Sequence, residues 1–238
     1  MDFLANISGV LYAPDYSNFV EKIELENTEK TEKEKTWLNQ RKGNFTASEF
    51  VRLMGYEDKE AFPSGAITYV TEKVLEIVTT GDSKQLSSGP IEWGKENENA
   101  AVEKFAKKYN LEVYNYGDNQ KFIKLGEHIG CTPDGLIGND QGIETKCPDS
   151  KTHLGYLETL TVESFKKDCT KYYWQIQGSM YVTGRKGWFF VSYDPRFKNE
   201  DKRLFVLKIE RNEADIAKLE KRLTEAIKLK KERLKDFE

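Results

Sequence analysis

Cys131-Thr132-Pro133-Asp134-Gly135-Leu136-Ile137-Gly138-Asn139-Asp140-Gln141-Gly142-Ile143-Glu144-Thr145-Lys146-Cys147-Pro148 is the stretch on which the reading of the chain turns. Pro133-Asp134 stands near its start, and Glu144-Thr145-Lys146 begins ten residues after the Asp. Gly138-Asn139-Asp140-Gln141-Gly142 between them is turn chemistry, so the flanks read as adjacent strands of a hairpin. Residues two apart on a strand point to the same face, so Glu144 and Lys146 share one, and the turn returns Asp134 beside them. Two carboxylates can hold Mg²⁺, a hard cation that prefers oxygen ligands. A lysine there can stabilise an attacking hydroxide or a developing negative charge. This is the pattern of metal-dependent phosphodiester cleavage. A hairpin whose Asp caps a turn and whose Glu and Lys are solvated carries the same short pattern, so the rest of the chain must decide.

The 238 residues suit one domain, read as a single unit over 1–238 with an N-terminal arm at 1–36 and a C-terminal helix at 212–238. With 38% hydrophobic and 32% charged residues, the expectation is a soluble globular protein with a very polar surface. No run of 18 apolar residues exists, so no membrane span is expected. Met1-Asp2-Phe3-Leu4 lacks a basic n-region, which argues against a secretory signal. Cys131, Cys147 and Cys169 form no C-x-x-C pair; reduced thiols in a cytosolic compartment are expected, and no zinc site. A net charge of −3 does not advertise nucleic acid. From Lys146 to Lys186, however, seven Lys or Arg (146, 151, 166, 167, 171, 185, 186) face four acids (149, 158, 163, 168). That excess fits either a nucleic-acid surface or scattered solvated charge.

Gly43-Asn44 breaks a first helix, and Thr46 or Ser48 is placed to cap a second over Glu49 to Met54. Amides at that N-terminus, Ser48 and Arg41 can together bind an anion, or the segment is plain capping beside an exposed Arg. Ser64 to Thr80 reads as a core helix through Ile67, Val70, Val74, Leu75 and Val78, ended by Gly81. A further helix runs from Ile91 to about Tyr109. Stepping back from Ala101 and Val102 by three and four lands on Glu98, which therefore lies on the buried face. A buried carboxylate needs a partner. A metal shared with Asp134 and Glu144 is one, and the positive end of the helix dipole is another. Leu111–Tyr116, Lys121–Lys124 and Glu127–Cys131 read as strands leading into the hairpin. Thr161–Lys167 and Lys171–Thr183 read as helices, the second carrying Gln175. Trp188–Tyr193, nearly all apolar, reads as a central strand, and Leu204–Ile209 as another. Asn212 caps a last, charged helix. His128 and His153 have no partners at metal-ligand spacing and are given no role.

Trp93-Gly94-Lys95-x-x-Glu98-Asn99, Cys131-Thr132-Pro133-Asp134-Gly135-Leu136, Glu144-Thr145-Lys146-Cys147-Pro148, Gln175-Ile176-Gln177-x-Ser179-Met180 and Tyr193-Asp194-Pro195-Arg196 come in this order. Together they resemble the lambda exonuclease family, the YqaJ-like viral recombinase nucleases. Arg41-Lys42-Gly43-x-x-Thr46-Ala47-Ser48 matches its N-terminal motif, and the resemblance covers about Trp37 to Glu210.

The resemblance implies a PD-(D/E)xK fold of α/β (α+β) class, with a mixed central β-sheet flanked by helices. It implies Mg²⁺-dependent 5′→3′ digestion of one strand of duplex DNA from an end. Two Mg²⁺ ions are implied, with Mn²⁺ able to substitute. Asp134 and Glu144 are implied as metal ligands, with the backbone carbonyl of Thr145. Glu98 is the helix carboxylate near the metals, Lys146 the catalytic lysine, and Gln175 the glutamine that supports it. Arg41, Ser48 and Thr132 match the pocket for the 5′-phosphate. A homotrimeric ring, a single-strand annealing protein as partner and the cytoplasm of a bacterial host are implied as well. Two other readings stand beside this one: a PD-(D/E)xK endonuclease or nickase, and a catalytically dead DNA-end-binding module.

Overall fold

In the computed structural model the described residues are residue 32, residues 35–80 and residues 89–237. The chain divides into two compact units, Met1–Gln40 and Arg41–Glu238. The described residues of the first, 32 and 35–40, are helical. The arm expected over 1–36 falls almost wholly outside the described residues, as does Gly81.

All strands among the described residues belong to the second unit. In chain order they are β1 (Phe45–Thr46), β2 (Val113–Tyr114), β3 (Ile123–Leu125), β4 (Ile129–Cys131), β5 (Gly135–Ile137), β6 (Gln141–Lys146), β7 (Gly187–Tyr193) and β8 (Leu204–Glu210). The α-helices of this unit are α1 (Ser64–Val78), α2 (Gly89–Tyr109), α3 (Ser150–Thr159), α4 (Val162–Asp168), α5 (Thr170–Thr183) and α6 (Glu213–Leu234). Five strands form a mixed sheet in the order β2-β5-β6-β7-β8, and β1, β4 and β3 form a second, small sheet. The mixed α+β architecture with flanking helices is as expected.

β5 and β6 pair antiparallel, Gly135 opposite Ile143 and Ile137 opposite Gln141, which is the hairpin read from the turn residues. Arg185 holds that turn: its guanidinium donates to the carbonyls of Ile137, Gly138 and Gln141 and to the Tyr114 hydroxyl. β6 runs parallel to β7, with Glu144 opposite Phe190 and Lys146 opposite Ser192. β7 is interior, covered on its other edge by β8. That is why it tolerates so apolar a sequence. Trp188 and Phe190 join a core with Phe165, Trp174 and Ile176, whereas Val191 and Tyr193 join a second core with Ala101, Val102 and Phe105. The period-two alternation thus packs α4 and α5 on one face and α2 on the other.

Several expectations need correction. The strand read over Glu127–Cys131 shortens to Ile129–Cys131, and it leads into the hairpin from the second, small sheet. β4 pairs with β1 and β3, and Pro133, which cannot donate a ladder bond, separates it from β5. The strand expected over Leu111–Tyr116 shrinks to Val113–Tyr114, because Asn110 and Asn115 on either side sit in left-handed conformations (φ 51° and 56°). The segment after Thr46 is a 3-10 helix, Ala47–Leu53, not an α-helix from Glu49, and Thr46 makes no side-chain cap bond. The tighter winding stacks Ala47, Phe50 and Leu53, three apart, on one buried stripe. Phe50 lies so close to Gly178 of α5 that a Cβ there would stand 2.3 Å from its ring. α1 buries Ala66, Tyr69, Val70 and Val74, while Ile67 and Leu75, expected in the core, are 41% and 48% exposed. The helix is rotated toward the stripe that Tyr69 can share. Asn212 does cap α6, accepting from the Asp215 amide at 3.1 Å.

Candidate active site

β6 presents Glu144 and Lys146 on one face, and their side chains meet, Lys146 Nζ to Glu144 Oε1 at 2.5 Å. From α5, Gln175 Nε2 donates to the same oxygen at 2.6 Å. Asp134, one residue before β5, is held through Oδ2 by the Thr145 amide (2.7 Å) and the Thr145 hydroxyl (3.1 Å). From α2, Glu98 approaches the same point: Gln120 Nε2 donates to Glu98 Oε1 at 2.6 Å and lies 3.4 Å from Asp134 Oδ1. Asp134, Glu144 and Lys146, which the hairpin reading puts together, and Glu98, which the helix face aims at them, lie together, and Thr145 and Gln175, which the family resemblance adds, touch the same carboxylates. Lys146 Nζ also sits 5.2 Å over the Tyr172 ring.

The electrostatics are those of crowded carboxylates. Burial, then Asp134 and Glu144, push Glu98 up to about 8. Burial, then Asp134, push Glu144 up to about 7, against the opposing pull of Lys146 and Gln175. Burial raises Asp134 too. Burial opposes the charge on Lys146, yet Glu144 and Asp134 outweigh it and hold the ammonium above the ordinary lysine range. Glu144 Oε2 is buried and finds no hydrogen-bond partner among the described residues. Buried polar atoms are nearly always satisfied, so this oxygen marks a place for an electropositive group. No three His, Cys, Asp or Glu side chains form a metal cage by themselves among the described residues.

The anion-site residues also converge. Arg41 donates from NH1 to Thr132 Oγ1 at 2.9 Å and from NH2 to Ser48 Oγ at 3.4 Å. Its guanidinium lies 5.8 Å over the Phe122 ring, and burial lowers its pKa. Thr132 is two residues from Asp134, so the two clusters are joined by Pro133 alone.

Tyr193-Asp194-Pro195-Arg196 has a mechanical place. Asp194 is fully buried and accepts from Ser150 Oγ at 2.6 Å and from Arg196 Nε at 2.8 Å. Burial would raise it, but the bonds from Arg196 and Ser150 prevail and bring it to about 2. Arg196 also donates to the Pro148 carbonyl at 3.2 Å and stacks 4.6 Å over the Trp93 ring. It thus ties α2, which carries Glu98, to the segment just after Lys146. His153 is structural, bonded to Ser192 Oγ and to the Lys202 carbonyl. Sequence reasoning missed Gln120 and Tyr172. Gln120 lies in a turn with no periodic signal, and Tyr172 looks like any helical aromatic.

A family model for the YqaJ-like viral recombinase domain matches residues 36–186. The chain belongs to that family. An alkaline exonuclease of this fold, LHK-Exo from Laribacter hongkongensis, is 27% identical, with 85% of this chain and 95% of that chain covered and a TM-score of 0.70. It has also been solved in complex with dAMP. A phage related exonuclease from Haemophilus somnus 129PT shares the fold at 18% identity and a TM-score of 0.65, covering 82% of this chain and 96% of that one. The uncharacterized protein ExoD of Escherichia coli strain K12 is 40% identical over 63 residues, which are 26% of this chain and 70% of that protein. No described helix is long and apolar enough to cross a membrane.

Proposed function

We propose that the chain is a Mg²⁺-dependent exonuclease that digests one strand of duplex DNA from a 5′ end. The observation that carries this is the convergence of Asp134 and Lys146 on Glu144, one of whose carboxylate oxygens is buried without a hydrogen-bond partner among the described residues. The alkaline exonuclease with the same fold and the dAMP bound to it support the reaction class. The donor set suits Mg²⁺, which takes one or two carboxylates and keeps waters rather than seeking an all-protein cage. Asp134, Glu144 and the Thr145 carbonyl would hold it. When bound, such a cation supplies charge neutralisation at the scissile phosphate and a water of lowered pKa.

The chain's own groups do the rest. The Thr145 amide and hydroxyl fix Asp134 through Oδ2 and leave Oδ1 facing Glu98 and Gln120. Gln175 and Lys146 fix Glu144 through Oε1 and leave the buried Oε2 for the cation. Lys146, held as an ammonium, faces the charge that builds on the phosphate as the P–O bond breaks. The groups assigned here act on phosphates, which carry no sequence information, so sequence is hardly read. Family resemblance extends the reading to a homotrimeric ring in the cytoplasm of a bacterial host, working with a single-strand annealing protein. Light scattering that reports a 27.5 kDa monomer across micromolar concentrations contradicts the ring.

The test is linear and closed circular duplex, each with Mg²⁺ or EDTA. Digestion of the linear form with Mg²⁺ only is expected. Rapid cutting of circles points instead to an endonuclease, and binding of ends without cleavage to a dead module.

The choice of end is assigned to Arg41, Ser48 and Thr132. Both hydroxyls accept from Arg41, and the Ser48 hydroxyl also pairs with that of Thr46 at 3.4 Å, so the Thr132 proton is left for a further acceptor. A terminal phosphate carries about two negative charges near neutral pH and suits a bidentate guanidinium. Duplex with 5′-phosphate is expected to be digested faster than 5′-hydroxyl duplex. Arg41→Ala erases most of that difference, and Arg41→Lys restores it in part, since an ammonium cannot fork. Equal rates on both ends by the wild type, or an undiminished preference in Arg41→Ala, return Arg41 to a purely structural role.

A further inference from the structure

Gln120 enters the site from a segment that carries no recognised motif. Its side chain spans 22 residues of sequence to reach Glu98 and 14 to reach Asp134. The reach is built in. Gln120 follows the 3-10 turn Gly117–Asn119, and its amide donates back to the Gly117 carbonyl at 3.1 Å. Gly117 has φ +57°, and a Cβ on it would stand 2.5 Å from Asn99 Oδ1. Asn99 adjoins Glu98 on α2, so the turn that carries Gln120 is seated on the same part of the helix that carries Glu98.

We propose that Gln120 is a positioning residue of the cation site: its neutral amide holds the Glu98 carboxylate beside that of Asp134, so that both face one divalent cation. This rests on the cation reading of Asp134 and Glu144 above. Glu98, Asp134 and Glu144 repel one another, and something must hold them together before a cation arrives. A lysine or arginine in the place of Gln120 would add a second positive charge to that of Lys146 and cancel more of the charge the cation needs. An amide donates hydrogen bonds from one nitrogen and brings no charge, so it takes nothing further from the negative field that Lys146 leaves. The strong bond goes to Glu98, the carboxylate on a separate helix and the one most in need of a tether; Asp134 already has Thr145.

Mn²⁺ titrations of the whole protein, followed by calorimetry, test this, with each variant's melting temperature taken in EDTA. Gln120→Met, similar in length but unable to donate, is expected to melt as wild type yet bind Mn²⁺ about 10–100-fold more weakly, the range for loss of an outer hydrogen-bond partner. Gln120→Ala, the second variant in case Met disturbs packing, is expected to show the same loss. A folded Gln120→Met or Gln120→Ala protein with wild-type Mn²⁺ affinity overturns the proposal and leaves the cation reading intact. A wild-type protein that binds no Mn²⁺ overturns both.

Discussion

Glu144→Gln is expected to abolish DNA cleavage while melting no lower than wild type in EDTA at pH 8. The first half follows from ligand chemistry: an amide of the same shape cannot supply the anionic oxygen, and Glu144 Oε2 is a buried carboxylate oxygen without a hydrogen-bond partner among the described residues. The second half follows from linkage. Glu144 at about 7 and Glu98 at about 8 both lie above the ordinary glutamate value. Between that ordinary value and the raised one, the folded protein binds more protons than the unfolded chain, so stability falls as pH rises. Their contribution is fully present below about 4.5 and lost as pH climbs through 7 and 8. Raised Asp134 acts in the same sense. Asp194, held at about 2, titrates far below this window. Lys230, lowered to about 8 by burial and by Lys73, adds stability only above it, and His128, lowered from its ordinary value by burial and by Lys230, is a single group opposing the decline within it. The wild-type melting temperature in EDTA should therefore decline from pH 5 to pH 8, and Mg²⁺ should restore most of the loss at pH 8. Glu144→Gln should flatten the decline and lose much of the Mg²⁺ effect. Mg²⁺-dependent cleavage by this variant near the wild-type rate removes Glu144 from the mechanism. A melting temperature at pH 8 in EDTA well below wild type shows that the buried carboxylate is not a source of instability.

The hairpin was legible because its signals are local. Gly138 to Gly142 announce a turn, and the period of a strand then forces Glu144 and Lys146 onto one face. Glu98 was legible through helical spacing against Ala101 and Val102, which do pack beneath it in the second core. What sequence could not show was set by distant partners. Whether α1 buries Ile67 or Tyr69 depends on Phe45, whose ring meets Tyr69 edge-on at 5.3 Å from a strand twenty-four residues earlier. The 3-10 winding of Ala47–Leu53 depends on the room left by Gly178, far along the chain. Gln120 illustrates the limit at the site itself. A glutamine in a turn has no periodicity to betray which way it faces, and only the seat of Gly117 on Asn99 brings it to Glu98.

Lys146→Met is expected to slow cleavage by about 10²–10³, as for loss of one preorganised electrostatic group, and to move the acid limb of the rate–pH profile upward. Two roles for Lys146 are separable. As a proton acceptor it would need a depressed pKa. Instead Glu144 and Asp134 overcome burial and hold it above the ordinary lysine range, so it remains an ammonium throughout the working pH. That leaves charge stabilisation, and the rate loss follows. The second effect comes through Glu144. Lys146 acts on that carboxyl by its charge and by the 2.5 Å hydrogen bond, and both pull Glu144 downward against burial and Asp134. Without them Glu144 holds its proton to higher pH, and a cation must displace that proton before it can bind. Raising the pH should therefore recover part of the Lys146→Met deficit but never all of it, because the missing charge at the phosphate is not replaced. Lys146→Arg should keep the acid limb near its wild-type position while still losing rate, since the fork does not fit beside Glu144 and over Tyr172 as an ammonium does. An acid limb unmoved in Lys146→Met would show that Lys146 does not tune Glu144. Full turnover at any pH would remove it from the reaction altogether.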